Sequence, residues 1–96
     1  MKPKTRPFDL AEHLKNDEDI ATYLTLVIEE GEPGDLAHAL GIVARARGMA
    51  QVAEDAGLTR EALYKALRED AQPRFDTINR VCKALGVKLV AQPIEQ

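Results

Sequence analysis

The stretch Met49–Arg68, MAQVAEDAGLTREALYKALR, constrains the fold more than any other part of the chain. It reads as a short helix, a glycine turn and a second helix. Val52, Ala53, Ala56, Leu58, Leu63 and Ala66 fall where such a pair must pack inward. Gly57 stands where the chain must turn sharply, a position that favours a residue without Cβ because φ is often positive. Ala53 falls at the closest approach of the two helices, where a larger side chain would push them apart. Thr59, Arg60, Glu61, Tyr64, Lys65 and Arg68 are left pointing outward, and these side-chain types reach phosphates and base edges. The window therefore points to DNA.

With 96 residues the chain is long enough for one domain with a modest core. Apolar residues make up 45% of it but aromatics only 4%, which favours small, closely spaced helices over a sandwich or barrel. Apolar runs extend only a few residues, too short for a transmembrane helix. The first residues, MKPKTRPFDLAEH, have bases but no apolar core of a secretory signal. One cysteine, Cys82, cannot form an internal disulfide and fits a reducing cytoplasm.

A net charge of −3 argues against a generic nucleic-acid binder, but the distribution of that charge argues the other way. Residues 1–7 carry +3 from Lys2, Lys4 and Arg6; residues 8–40 carry nine acids against Lys15; residues 41–96 carry nine bases against seven acids. The acidic excess falls in the N-terminal third, and the two-helix window is read as locally basic. Screening over about 10 Å or less in cell-like salt makes the local sign the one that counts. An acidic flank also suits a basic protein partner.

Along the chain, residues 1–7 read as a basic arm and Phe8–Lys15 as a short helix. Asn16 is placed to cap the next helix, with Asp17, Glu18 and Asp19 in its first turn and Ile20, Leu24, Val27 and Ile28 as its stripe up to Gly31. After the turn Glu32-Pro33-Gly34, Asp35 is read as the cap of a helix reaching Arg47, with Leu36, Leu40, Val43 and Ala44 inward and Gly48 as its end. The two helices of the window follow, over roughly 50–56 and 60–69. Pro73 breaks the chain, and Phe75, Ile78, Val81, Cys82 and Leu85 form the stripe of a last helix ended by Gly86. Val87–Gln92 alternates as a short strand, with Val87, Leu89 and Ala91 on one face. A lone strand is unstable in water, so the simplest partner is the same strand of a second chain, with Val87, Leu89, Val90 and Ala91 as the pairing residues. The organisation is one compact domain: arm 1–7, N-terminal helices 8–48, two-helix motif and following helix 49–86, and strand with tail 87–96.

The run GMAQVAEDAGLTREALYKALREDAQP, followed by Phe75 and VCKALGVKL, resembles the antidote proteins of type II toxin–antitoxin modules. It is most similar to the HigA-like "probable addiction module antidote" group, with a Cro/repressor-type helix-turn-helix. FDLAEHLKNDEDIATYL and IVARARG extend the resemblance over nearly the whole chain, and GLTREALYKALRED is its most specific part. The resemblance implies an all-α, five-to-six-helix Cro/repressor-like domain, a homodimer that represses its own operon, and binding to a small basic toxin of the RelE/ParE kind. Two residues depart from the family pattern: Ala50 stands where Ser or Thr more often caps the first motif helix, and Ala71 where glycine commonly follows the second.

Each outward residue has a role and a plainer alternative. Thr59 caps the second helix, with or without a phosphate contact. Arg60 at the helix start suits two-pronged binding of guanine O6 and N7, against a phosphate contact or simple solvation. Glu61 suits cytosine N4 or the orientation of Arg60; Tyr64 suits a thymine methyl, a phosphate or packing on the scaffold. Lys65, Arg68 and Arg74 read as phosphate contacts, and Gln51 sits near a helix start where phosphate is often anchored. Of Arg45 and Arg47, two apart, one can approach DNA while the other faces acids. Glu29, Glu30 and Glu32 fit either a docking face for a basic toxin or a solvated helix end. His13 and His38 lack companions at metal-ligand spacing, no serine occurs and no phosphate loop is present. Neither a metal, a cofactor nor catalysis is expected. A phage-type repressor without a toxin, and a toxin-neutralising protein with weak DNA binding, are the competing functions.

Overall fold

The computed structural model describes residues 16–32, 34–68 and 70–95, and every regular element among them is an α-helix. Five run in order: α1 Asp17–Glu30, α2 Asp35–Arg47, α3 Met49–Ala56, α4 Arg60–Ala66 and α5 Phe75–Ala84. The all-α expectation is met. The expected arm over residues 1–7 and helix over Phe8–Lys15 lie outside the described residues.

Asn16 caps α1 as expected, its side-chain oxygen accepting from the Asp19 N–H at 2.8 Å, and three acids follow at the positive end of the helix dipole. Ile20 and Leu24 are buried, with Tyr23 and Val27 half-buried beside them. Ile28, expected on the same stripe, is 51% exposed. Among the described elements α1 packs chiefly on α2, and one neighbour covers only a narrow stripe.

Helix α2 lies at the centre, touching α1, α3 and α5. Ala37, Ala39, Leu40, Gly41, Val43 and Ala44 are buried, and the small residues among them let neighbouring backbones come close. Two expectations shift here. Gly34, not Asp35, is the N-cap; the Asp35 carboxylate instead accepts from the Glu32 N–H at 2.8 Å and closes the preceding turn. Leu36 is only half-buried. Gly48 both ends α2 and begins α3, so Ala50 lies inside the helix and the capping position is one that offers no side chain at all.

Helices α3 and α5 end in the same way. Behind α3, the Leu58 N–H donates to the Ala53 carbonyl at 2.9 Å and the Gly57 N–H to the Glu54 carbonyl at 3.1 Å. Behind α5, the Val87 N–H donates to the Cys82 carbonyl and the Gly86 N–H to the Lys83 carbonyl, both at 3.0 Å. Each is a Schellman motif with a left-handed glycine, Gly57 at φ 74° and Gly86 at φ 87°, and each sends the next apolar residue, Leu58 or Val87, back onto the core. At Gly86 a Cβ would lie 2.5 Å from the Asp17 carboxylate, which itself accepts from Arg47 at 2.8 Å. Gly86→Ala therefore incurs both a positive-φ penalty and an overlap at the junction of α1, α2 and α5. We expect a loss of about 1–3 kcal/mol in urea unfolding; an unchanged midpoint would show that the turn relaxes freely.

The remaining core residues come from α3 (Met49, Val52, Ala53, Ala56), α4 (Leu63 and the capping Leu67) and α5 (Ile78, Val81, Cys82, Leu85). Phe75, expected on the stripe of α5, is 69% exposed, because it stands at the first residue of the helix, before the chain reaches its neighbours. Burial pushes the Cys82 thiol up to about 11, against 9.0 in water. Ionisation thus favours the unfolded chain. Stability is full below pH 9 and falls as pH rises towards 11, by about 2–3 kcal/mol. A Cys82→Ala chain should lack this alkaline loss in melts taken across that range.

Residues 87–95 form no strand within the chain. Val87 and Leu89 are half-buried against the core while Lys88 and Val90 are exposed, so the alternation expected over Val87–Gln92 is present without strand bonds. A strand needs the hydrogen bonds of a partner, and no other described segment of the chain is extended beside it. Val87 and Leu89, expected to pair between chains, are partly spent on the core; Val90, at 66% exposed, and Ala91 remain outward. Among the described residues no helix is long and apolar enough to cross a membrane.

Candidate nucleic-acid interface

The exposed side of α4 is built by its two ends. At the start, the Thr59 hydroxyl accepts from the Ala62 N–H at 3.0 Å, fixing the first turn. At the other end Leu67 caps the helix and is buried, with its N–H on the Leu63 carbonyl at 3.1 Å. With Leu63 and Leu67 turned inward, Arg60, Glu61, Tyr64 and Lys65 are exposed. The three residues Gly57, Leu58 and Thr59 join α3 to α4, so the expected helix, turn and helix are all in place.

Helix α4 stops at Ala66, short of the expected residue 69, because Leu67 leaves the helical path for the core. Arg68 consequently lies beyond the helix rather than on its face, 3.8 Å from Asp70 in an open, exposed pair. Arg74 is exposed at the N-cap of α5. Gln51 is exposed on α3, but its amide donates to Asp55 Oδ1 at 3.0 Å, one turn along the same helix. Of the eight expected contact residues, five cluster at α4 and its cap; Gln51, Arg68 and Arg74 are held by other segments.

Tyr64 organises this surface. The Arg60 guanidinium lies over its ring at 5.7 Å from the centroid, and that of Arg45, from α2, at 6.0 Å. Tyr64 is 39% exposed, so it neither packs fully on the scaffold nor stands alone. Arg60 is oriented by Tyr64; among the described residues Glu61 makes no ion pair. Arg45 and Arg47 divide as their spacing suggested, Arg47 pairing with Asp17 and Arg45 reaching α4. The sequence did not say which of the two would approach this surface. Sequence reasoning also missed Arg80, whose guanidinium lies 3.7 Å from where a Gly57 Cβ would stand while pairing with Asp76 at 3.1 Å. No local pattern announces either: one sits two helices away from Tyr64, the other on the helix after it.

The charge of the window differs from its expected basic character. Within Met49–Arg68, Arg60, Lys65 and Arg68 are matched by Glu54, Asp55 and Glu61, so the segment alone is neutral. The exposed face of α4 carries Arg60 and Lys65 against Glu61, and the fold adds Arg45 from α2; Arg80 from α5 comes near the Gly57 turn already paired with Asp76.

The molecule is thus a small helical protein that presents a capped, basic and aromatic helix end from a three-residue turn. The chain belongs to the probable addiction module antidote protein family, whose model matches residues 4–93. Membership marks it as the antitoxin partner of a cognate toxin. It is also 44% identical over 92 residues to an uncharacterized protein of Haemophilus influenzae, covering 96% of this chain and 95% of that one. No solved structure matches the chain.

Proposed function

We propose that this chain is a DNA-binding antitoxin of the HigA-like, Cro/repressor-type kind. It neutralises a toxin similar to the RelE/ParE group and, as a homodimer in the cytoplasm, represses the operon that encodes both. It acts by binding, without catalysis. The observation that carries DNA binding is the presentation of Arg60, Tyr64 and Lys65 on a helix whose entry is fixed by Gly57 and Thr59. Arg60 reads a guanine edge, while Lys65, Arg68, Arg74 and Gln51 hold phosphates and register, Thr59, Glu61 and Tyr64 completing the surface. Two copies placed about one DNA turn apart, roughly 34 Å, would read a palindromic operator.

Pairing of the extended C-terminal segments, through Val90 and Ala91 beside the half-buried Val87 and Leu89, supplies the dimer. Val90 and Ile94 leave apolar surface outward there, which favours this reading. Removal of residues 87–96 should give a monomer by sedimentation; a dimer that survives the deletion contradicts pairing by this segment. The function itself is tested by two assays on one preparation: a gel shift on the chain's own promoter and capture of the neighbouring gene's product. Both should be positive.

One further reading has an observation in its favour. The neutral window, with Gln51 on Asp55 and Arg68 near Asp70, suits a toxin-neutralising protein with weak DNA binding. Capture without a gel shift would select it.

A further inference from the structure

Between α1 and α2 runs a groove of about 390 Å³, away from every residue assigned to DNA. Tyr23, Leu26, Val27 and Ala39 form its apolar wall, and Glu30, Asp35 and the exposed His38 are its polar lining. Leu26 is 49% exposed, an apolar side chain opening into the groove from a helix that, among the described elements, packs chiefly on α2. Residues 29–35 carry Glu29, Glu30, Glu32 and Asp35 and no base. We infer that this groove is the seat of the cognate toxin, and that it takes a cationic segment bearing one apolar anchor side chain.

The charge placement is the argument for that occupant. Glu29 and Glu30 occupy the last turn of α1, which contains no basic residue, at the negative end of the helix dipole. Acids there oppose the dipole and each other, so in the free chain they are a cost to α1. A lysine or arginine from outside removes that cost, pairing with Glu30 and meeting the carbonyls left open at the end of the helix. Asp35 is already held in place, since its Oδ2 accepts from the Glu32 N–H, and the residue lines the same rim. The apolar wall supplies what charge alone does not, a desolvated contact for an anchor. An uncharged or acidic segment would leave the Glu30 carboxylate unpaired at the rim, with Asp35 beside it. The groove shares no lining residue with the α4 surface.

The inference rests on the antitoxin reading, and the test separates the two. The full chain is titrated by calorimetry with the product of the adjacent gene. Leu26→Arg and Glu30→Lys each alter an exposed side chain, so helix content should hold; the melting temperature should hold for Leu26→Arg and hold or rise for Glu30→Lys, which puts a cation at the negative end of the dipole. Each should weaken binding about tenfold or more, whereas Glu54→Lys, the same charge change at an exposed position on α3, should stay within about twofold. Hydrogen exchange on the unaltered chain should slow across residues 26–39 when the toxin is bound. Wild-type affinity in both groove variants, or exchange protection elsewhere only, overturns the groove while the antitoxin reading stands. No binding by the unaltered chain overturns that reading and the inference with it.

Discussion

Leu63→Ala should lower the stability of this domain by about 2–5 kcal/mol, a drop of about 10 °C or more in melting temperature. Leu63 is fully buried and, with Leu67, ties α4 to the rest of the core. Helix α4 has only seven residues, and a helix of that length is not stable by itself in water, where about 12–15 residues are already marginal. Its order therefore comes from that anchoring and from the Thr59 cap. Two readouts should move together: the thermal midpoint, and the exchange of α4 amides, which should speed up more than those of α2. Lys65→Ala, on the exposed side of the same helix, should leave the midpoint within a few degrees. An alanine at 63 that melts like the wild type would mean that α4 is held by something other than its buried face.

Arg60→Ala should have the largest effect on what the protein distinguishes. A two-pronged arginine–guanine contact discriminates by about 1–3 kcal/mol, so the preference for operator over variants altered at one base pair should shrink about 5- to 150-fold at that position. The Tyr64 ring beneath the guanidinium gives a second handle. Tyr64→Leu keeps apolar bulk but removes the ring, and should reproduce part of the Arg60 effect by loosening the guanidinium. Lys65→Ala should behave differently, weakening binding to all sequences and lowering the slope of log K against log salt by about one. If Arg60→Ala weakens all sequences equally, Arg60 is a phosphate contact and the reading of bases lies elsewhere.

Much of this architecture is legible because it depends on local chemistry. Asn16 and Thr59 are polar oxygens just before apolar periodicity, and both cap. Gly57 and Gly86 stand where a helix must stop, and both adopt the left-handed conformation that stops it. What escaped the sequence depends on which neighbours exist. Ile28 and Phe75 obey the helical period yet are exposed, since periodicity marks a face but not whether anything covers it. Leu67 was missed because continuing α4 to residue 69 would have kept it helical, whereas the core takes it and ends the helix early. The same limit applies to the candidate interface. Thr59, Arg60, Glu61, Tyr64 and Lys65 are found together because they share one short helix and its cap, while Arg45 and Arg80 join them only through tertiary packing. The extended segment after Gly86 shows its alternation in sequence and in burial alike, but alternation alone does not supply the partner that a strand needs.

The central claim, that the Arg60 surface reads operator DNA, is tested most directly by fluorescence anisotropy with the chain's own promoter and a scrambled duplex of equal length, each titrated at rising salt. The account predicts that the promoter binds about a thousandfold or more tighter than the scramble, and that both affinities fall linearly in log–log form as salt increases. Equal, weak binding to the two duplexes, or none at low salt, would contradict it.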